Sequence, residues 1–227
     1  STLPYAVRLT EPGRIRVFLK LTGGFFVATL PARHTERTLA LLREVYPGLE
    51  PARNVLQTTL QNANPVIHPV VTLLNAALLE RTSGDFLFYE EGVTPGVGRL
   101  IEAVDQERIA IGRALGIDVV PDPELSLRQG YMTENSYEDG YRTAPGFLGI
   151  KAQSSLDHRY LNEDVGYGLV FLAALGRQLG VDTPIMDSVI ALTSRLMKRD
   201  YQAEAARTPA SLGIAGLDAA ALEALVS

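Results

Sequence analysis

The sequence predicts an α+β chain, with a short β-meander and one helix over residues 1–55 and an all-helical remainder over residues 56–227. Three observations predict it. Residues Arg14 to Thr22 alternate strictly, with Ile15, Val17, Leu19 and Leu21 on one face and Arg16, Phe18 and Lys20 on the other, the period of a strand. The pair Thr-Pro recurs at Thr94-Pro95, Thr183-Pro184 and Thr208-Pro209, each reading as an N-cap threonine with proline at the first helical position. Long runs with apolar residues at helical spacing fill the second part, and glycines close them.

Taken in order, Tyr5 to Leu9 is β-prone, Glu11-Pro12-Gly13 is a turn, and Arg14 to Thr22 is the second strand. Gly23-Gly24 is a two-residue hairpin signal that makes Phe25 to Leu30 the return strand. Thr35 to Tyr46 is amphipathic, with Leu39, Leu42 and Val45 on one side, and Pro47-Gly48 ends it; Arg53 to Thr58 reads as a last short strand. The helix after Pro95 carries Val97, Ile101, Val104, Ile111 and Leu115 and stops at Gly116. The helix after Asn162 runs to Gly180, the one after Pro184 carries Ile185, Val189, Leu192 and Leu196, and Asp218 to Leu225 forms a final capped helix. Between them, Gly130 to Gly149 is rich in Gly, Tyr, Ser and Asn and is expected to be a mobile, long loop. A small antiparallel piece cannot bury its apolar faces alone, so residues 1–55 are expected to pack on the helices or to end a larger β-rich domain.

Composition narrows the function classes. Hydrophobic residues make up 46 % and charged residues 21 %, as in ordinary globular proteins. The formal net charge of −5 offers nothing to nucleic acid or an anionic membrane. There are no cysteines, which excludes disulfides, thiolate metal sites and cysteine nucleophiles and agrees with a cytoplasmic location. No apolar run approaches the ~18 residues of a membrane span, and Arg8, Glu11, Arg14 and Arg16 interrupt any leader-like start. Three histidines without HExxH spacing argue against catalytic zinc.

Two segments carry the chemistry. NANPVIHPVVTLLN (62–75) contains His68 followed by Pro69 and a helical run, which places the imidazole at a helix N-terminus. HRYLNEDVGYG (158–168) opens an apolar helix with Glu163 and Asp164 in its first turn. Together they can supply an acid/base histidine, a carboxylate that fixes its tautomer, and Arg159 as a bidentate fork for a carboxylate substrate. Asn62 and Asn64 are candidates to contact cofactor or substrate, or to satisfy backbone groups. His158 and His34 read as surface or capping residues, and Asp105 to Arg108 as a solvated face with i,i+3 pairs. Gly92 to Gly98 (GVTPGVG) contains proline and follows no βα phosphate loop, so it reads as a loop and helix cap.

At NPVIHPVVTLLNAALLE, FLFYEEGVTPGVGRLIEAVDQERIAIGRALGI and HRYLNEDVGYGLVFLAALGRQLGVDTPIMDSVIAL, the sequence resembles the opine dehydrogenase family, in its bacterial branch that makes N-(carboxyalkyl)amino acids. The resemblance implies a Rossmann domain binding NAD or NADP, of which residues 1–55 match the closing strands, followed by a helical domain over 56–227 with the substrate site. It implies that His68 is the catalytic histidine, Asp164 its partner and Arg159 an anchor for a substrate carboxylate, with an amino acid and an α-keto acid as substrates. It also leads us to expect a homodimer, in keeping with helices that are apolar over wide arcs at Val165–Leu179 and Ile185–Met197. The family's GxGxxG loop has no counterpart here, so the chain is expected to be a C-terminal fragment or a truncated form. Two other readings stay open: another reductase pairing a Rossmann with a helical domain, such as a ketopantoate reductase, and a non-catalytic helical dimerisation module. Affinity for the pyrophosphate comes largely from a glycine loop at a helix N-terminus. The isolated 227-residue chain is therefore expected to bind NAD(P)H poorly, and a fluorescence titration saturating at micromolar cofactor would contradict that.

Overall fold

The computed structural model describes residues 5–227. Its first element is an antiparallel hairpin of β1 (Tyr5–Glu11) and β2 (Arg14–Lys20), joined at the Pro12-Gly13 turn, where Gly13 has φ +78°. Its register slips between Ala6 and Val7 and between Leu9 and Glu11. Val7, Leu9, Ile15 and Val17 remain 47 % to 67 % exposed, so the apolar alternation forms a strand but finds little cover on this chain.

The chain departs from the sequence expectation after Lys20. Phe25 to Leu30 is not the return strand of a second hairpin. Instead β3 (Phe25–Val27) pairs in parallel with β4 (Leu49–Pro51), and the crossover between them contains α1 (Thr35–Leu42). The two glycines serve close packing. A Cβ on Gly24, which has φ +62°, would lie 2.8 Å from Leu125 Cδ1, and Gly24 N–H donates to Glu50 Oε1. Helix α1 buries only Thr35 and Leu39 and ends at Leu42, short of the expected Tyr46, so Leu42 and Val45 stay exposed. Arg53 to Thr58 is not a strand. Asn54 accepts hydrogen bonds from Leu56 and Gln57 N–H and thereby starts α2 (Val55–Leu60).

The rest is helical, as expected. Helix α3 (Asn64–Leu74) is followed by α4 (Ala76–Thr82), the long α5 (Pro95–Ala114), α6 (Asp122–Gln129) and the single turn α7 (Gly140–Thr143). Thr94 caps α5, and Gly116 follows its end with φ +66°. Next, α8 (Arg159–Asn162), a π-helical stretch (Asp164–Leu169) and α9 (Val170–Gln178) follow one another along the chain. Helices α10 (Pro184–Met197) and α11 (Ala219–Val226, capped by Asp218) complete it. Thr208-Pro209 starts no helix. Thr208 and Ser211 bond each other reciprocally in a turn that Gly213 closes. Glu223 on α11 accepts from Arg53 and Asn54 and so ties the α/β segment to the far end of the chain.

One sequence expectation about loop segments is refined and one about a polar segment is corrected. Gly130 to Gly149 is a long connection with one helical turn, as expected, but it sends Met132, Tyr141 and Phe147 into the core while Thr133, Glu134, Asn135 and Leu148 stay exposed. Asp105 to Arg108 is no solvated face. Arg108 is fully buried, with Nε donating to Asp105 Oδ1 at 2.6 Å and the other nitrogens donating to the carbonyls of Leu60 and Val120. Asp105 Oδ2 accepts from Asp122 N–H and from the Tyr137 hydroxyl, and Tyr141 donates to Asp122 Oδ2. Glu107 receives the first N–H groups of α10, from Ile185 and Met186. The charges are buried because each one joins two or three chain segments.

Burial and the neighbouring Asp105 push the Asp122 carboxyl up to about 6. A carboxyl raised in the folded state stabilises the fold below its unfolded value of 3.8 and loses that contribution as pH rises through about 6. Asp122→Asn, which can still accept from Tyr141, is therefore expected to gain on the wild type by about 2–3 kcal/mol between pH 4 and pH 7. Urea denaturation of both proteins at several pH values measures this, and a pH-independent difference would contradict it.

Candidate active site

His68 lies in the second turn of α3, not at its start. The helix begins four residues earlier, with Pro65 in its first turn, and Pro69 sits inside it. Asp164 does stand in the first turn of its element, the π-helical stretch, which a short helical turn precedes. The preceding turn starts at Arg159, where His158 Nδ1 accepts from Tyr160 N–H as the cap, and Asp164 opens the π-helical stretch after Glu163. The two side chains nevertheless meet as expected. His68 Nδ1 is 2.8 Å from Asp164 Oδ2, and both residues are buried. A carboxylate has only acceptors, so Nδ1 carries the hydrogen and Nε2 is the basic nitrogen of the neutral ring.

The rest of the imidazole is enclosed by aromatic rings. Tyr160 stacks on it at a centroid distance of 3.9 Å and 20° between planes, and Phe88 meets it edge-on at 6.1 Å. Tyr89 hydroxyl lies 3.1 Å from His68 Nε2, and the Tyr89 ring stacks on Phe147 at 4.2 Å. Burial raises the Tyr89 phenol well above its ordinary value, helped by Tyr160, Asp122, Tyr131 and Asp164. Burial is also the leading cause that lowers His158, followed by the Arg159 and His68 charges.

His68, Tyr89, Phe147 and Tyr160 line one cleft of about 690 Å³, large enough for a small organic substrate. Asn62, Asn64, Arg159 and His158 stand on it as well, so four of the five candidate site residues line one space, and the fifth, Asp164, is buried behind His68. Arg159 is half-exposed, with Nε 3.4 Å from Glu163 Oε2, a contact weak enough to exchange for a substrate carboxylate. Asn62 Oδ1 accepts from Asn64 N–H at the start of α3, so Asn62 also serves the backbone. Tyr5, Val7 and Phe18 of the hairpin line the same cleft.

Sequence reasoning missed Tyr89, Tyr160 and Asp122 in the cleft. Tyr160 follows Arg159 directly and Tyr89 lies inside a quoted segment, but one aromatic in an apolar stretch gives no sign that its hydroxyl meets a histidine 21 residues earlier. Among the described residues, no three His, Cys, Asp or Glu side chains are grouped to hold a metal ion, and no helix is long and apolar enough to cross a membrane. Gly92 and Gly98 of the GVTPGVG segment are committed to packing. A Cβ on Gly92 would lie 2.3 Å from Phe88 O, and one on Gly98 2.3 Å from Tyr137 O, so both glycines face packed backbone.

Comparison with known proteins gives the family. Opine dehydrogenase of Arthrobacter sp. (strain 1C) is 38 % identical over 226 residues, covering 100 % of this chain and 62 % of that protein. Protein ocs of Agrobacterium tumefaciens (strain Ach5) is 29 % identical over 98 % of this chain and 61 % of its own length. The chain thus spans about three-fifths of the length of these curated relatives. The fold matches octopine dehydrogenase solved with NADH and L-arginine, with a TM-score of 0.65 over 87 % of this chain and 55 % of that one, at 19 % identity. The profile of the NAD/NADP octopine/nopaline dehydrogenase alpha-helical domain matches residues 51–197, and the chain belongs to that family.

Proposed function

We propose that the protein is an NAD(P)-dependent opine dehydrogenase, which condenses an α-keto acid with an amino acid and reduces the resulting imine. The observation that carries this reading is the buried His68–Asp164 contact of 2.8 Å in a cleft that also holds Arg159. The reaction needs hydride, which a bound nicotinamide supplies, whether NAD or NADP. The residues of this chain handle protons and carboxylates. His68 acts as acid and base, and Asp164 fixes its tautomer and balances the charge when the ring gains a second proton. Arg159 takes a substrate carboxylate in its planar fork, and Asn64 donates to the substrate from the start of α3. Asn62 contacts the cofactor at the rim of the cleft.

The same reading divides the chain into residues 1–55, closing a dinucleotide-binding domain, and residues 56–227, the substrate domain. The parallel β3–α1–β4 crossover and the family profile that begins at residue 51 support that boundary. Octopine dehydrogenase has been solved with L-arginine, with agmatine and with pyruvate, which supports a small amine and a keto acid as the substrate pair. Exposed Leu192 and Leu196 on α10 support a homodimer through the helical part. The cytoplasm, where nicotinamide cofactors, keto acids and amino acids are all present, suits the reaction.

Arg159→Ala in the full-length protein is expected to raise KM for a carboxylate substrate roughly tenfold to hundredfold, the worth of about 1.5–3 kcal/mol for a hydrogen-bonded charge pair at a half-exposed site. NAD(P)H oxidation with keto acid and amino acid varied in turn measures it. An unchanged KM for both substrates would remove Arg159 from the site, and a wild type with no turnover on any keto acid and amine would contradict the function.

A further inference from the structure

We infer that Tyr89 is a further catalytic residue, the phenol through which His68 exchanges a proton with the oxygen of the substrate. The inference rests on the opine dehydrogenase reading and adds a group to its proton path.

The argument starts from the valence of the imidazole. A histidine has two polar atoms, and both are taken. Nδ1 meets Asp164 Oδ2 at 2.8 Å, and Nε2 meets the Tyr89 hydroxyl at 3.1 Å. One ring face lies against Tyr160, and His68 is only 7 % exposed. Within this geometry no nitrogen of His68 is left to face a substrate. The hydrogen-bonded chain continues instead through Tyr89 Oη, and Tyr89 lines the same cleft as Arg159. The phenol is held for the task, with its ring stacked on Phe147 at 4.2 Å and edge-on to Phe88 at 5.0 Å. A hydroxyl can donate one hydrogen bond and accept another, which is what a relay between a ring nitrogen and a substrate oxygen requires.

Protonation sets the direction. With His68 neutral, the phenol donates to Nε2. With His68 doubly protonated, Nε2–H donates to Tyr89 Oη, and the phenolic hydrogen turns towards the cleft. Burial, with Tyr160, Asp122, Tyr131 and Asp164 nearby, keeps the phenol from ionising at rest. Phenolate is therefore not a stored state, and the two proton transfers are coupled. In loss of water from the carbinolamine, the phenolic proton passes to the carbinolamine hydroxyl. The C–O bond breaks with its electron pair leaving as water, and the nitrogen lone pair forms the C=N bond. The Nε2 proton moves to Tyr89 Oη in the same event, so the phenol is restored and neutral His68 keeps its Nδ1 hydrogen on Asp164. In the preceding attack of the amine, the C–N bond forms as the carbonyl π pair moves to oxygen, which takes the phenolic proton while Nε2–H restores the Tyr89 phenol; the surplus proton on the adduct nitrogen then returns through Tyr89 to Nε2, leaving a neutral carbinolamine and a doubly protonated His68 for the loss of water.

The test uses the full-length protein with Tyr89→Phe and, separately, with 3-fluorotyrosine inserted at position 89. Tyr89→Phe is expected to lower kcat by about a hundredfold while leaving both KM values unchanged, the size of a lost acid–base contact. The solvent deuterium isotope effect on kcat should change with it. Fluorotyrosine keeps the ring's shape and its hydrogen bond, and is expected to displace the whole kcat–pH profile in rate, because a more acidic phenol gives up its proton more readily in the coupled transfer. A loss confined to KM or to thermal stability would reduce Tyr89 to packing. A Phe variant with wild-type kcat, or a fluorotyrosine profile that superimposes on the wild type, would overturn the inference while wild-type turnover leaves the opine dehydrogenase reading standing. If the Phe variant does not fold, the fluorotyrosine profile decides alone. Absence of turnover in the wild type overturns both.

Discussion

Helix α3 and the π-helical stretch pack so closely that a Cβ on Gly168 would lie 2.5 Å from Pro65 Cγ, and the site depends on that approach. A side chain at position 168 would force the two elements apart, and a shift of 1 Å takes the His68–Asp164 contact out of hydrogen-bonding range. The π geometry contributes too, because an extra residue in the helical turn changes which side chains face α3. With the two elements in contact, Val165 and Leu169 enter the same core as Val66, Ile67 and Val70. The polar pair is thus set in an apolar wall that excludes water from its ring nitrogens and strengthens each remaining hydrogen bond.

A second constraint holds the neighbouring wall of the cleft. Arg108 joins the end of α2, the body of α5 and the chain entering α6 through two carbonyls and one carboxylate. Removing either partner of such a buried pair costs about 3–5 kcal/mol, because the other is left charged without water. This network places Asp122, and with it Tyr141 and the buried part of the 130–149 segment, beside the aromatic cluster of Tyr89, Tyr131 and Phe147. Proton chemistry and cleft shape are therefore set by separate polar clusters that share the same aromatic residues.

The sequence made the helices legible wherever a cap and a stop coincided, as at Thr94-Pro95 with Gly116, and where a long apolar period left no alternative. The meeting of His68 and Asp164 was legible through the family resemblance, although the local argument from helix starts placed His68 one turn off. Proline at position 69 read as a helix start because Pro65 supplies the same signal four residues earlier. Tertiary contacts hid the rest. Gly23-Gly24 carries a hairpin signal, but the glycines are there to admit Leu125 and Gln129. Asn54 turns a strand-like run into α2 through two hydrogen bonds. Asp105 and Arg108 have the spacing of a surface pair, and only the carbonyls of Leu60 and Val120, 48 and 12 residues from Arg108, make their burial favourable. The hydroxyl of Tyr89 was invisible for the same reason.

The central claim is that His68 is a buried imidazole with its Nδ1 hydrogen on Asp164 and its Nε2 on the Tyr89 phenol. Nitrogen-edited proton NMR of the full-length protein, labelled at histidine, tests it most directly. The account predicts a downfield Nδ1–H resonance from His68 that exchanges slowly with water, shows an Overhauser contact to the Tyr89 ring and disappears in Asp164→Ala. A His68 ring protonated on Nε2 instead, or one whose N–H exchanges as fast as that of a solvent-exposed histidine, would contradict it.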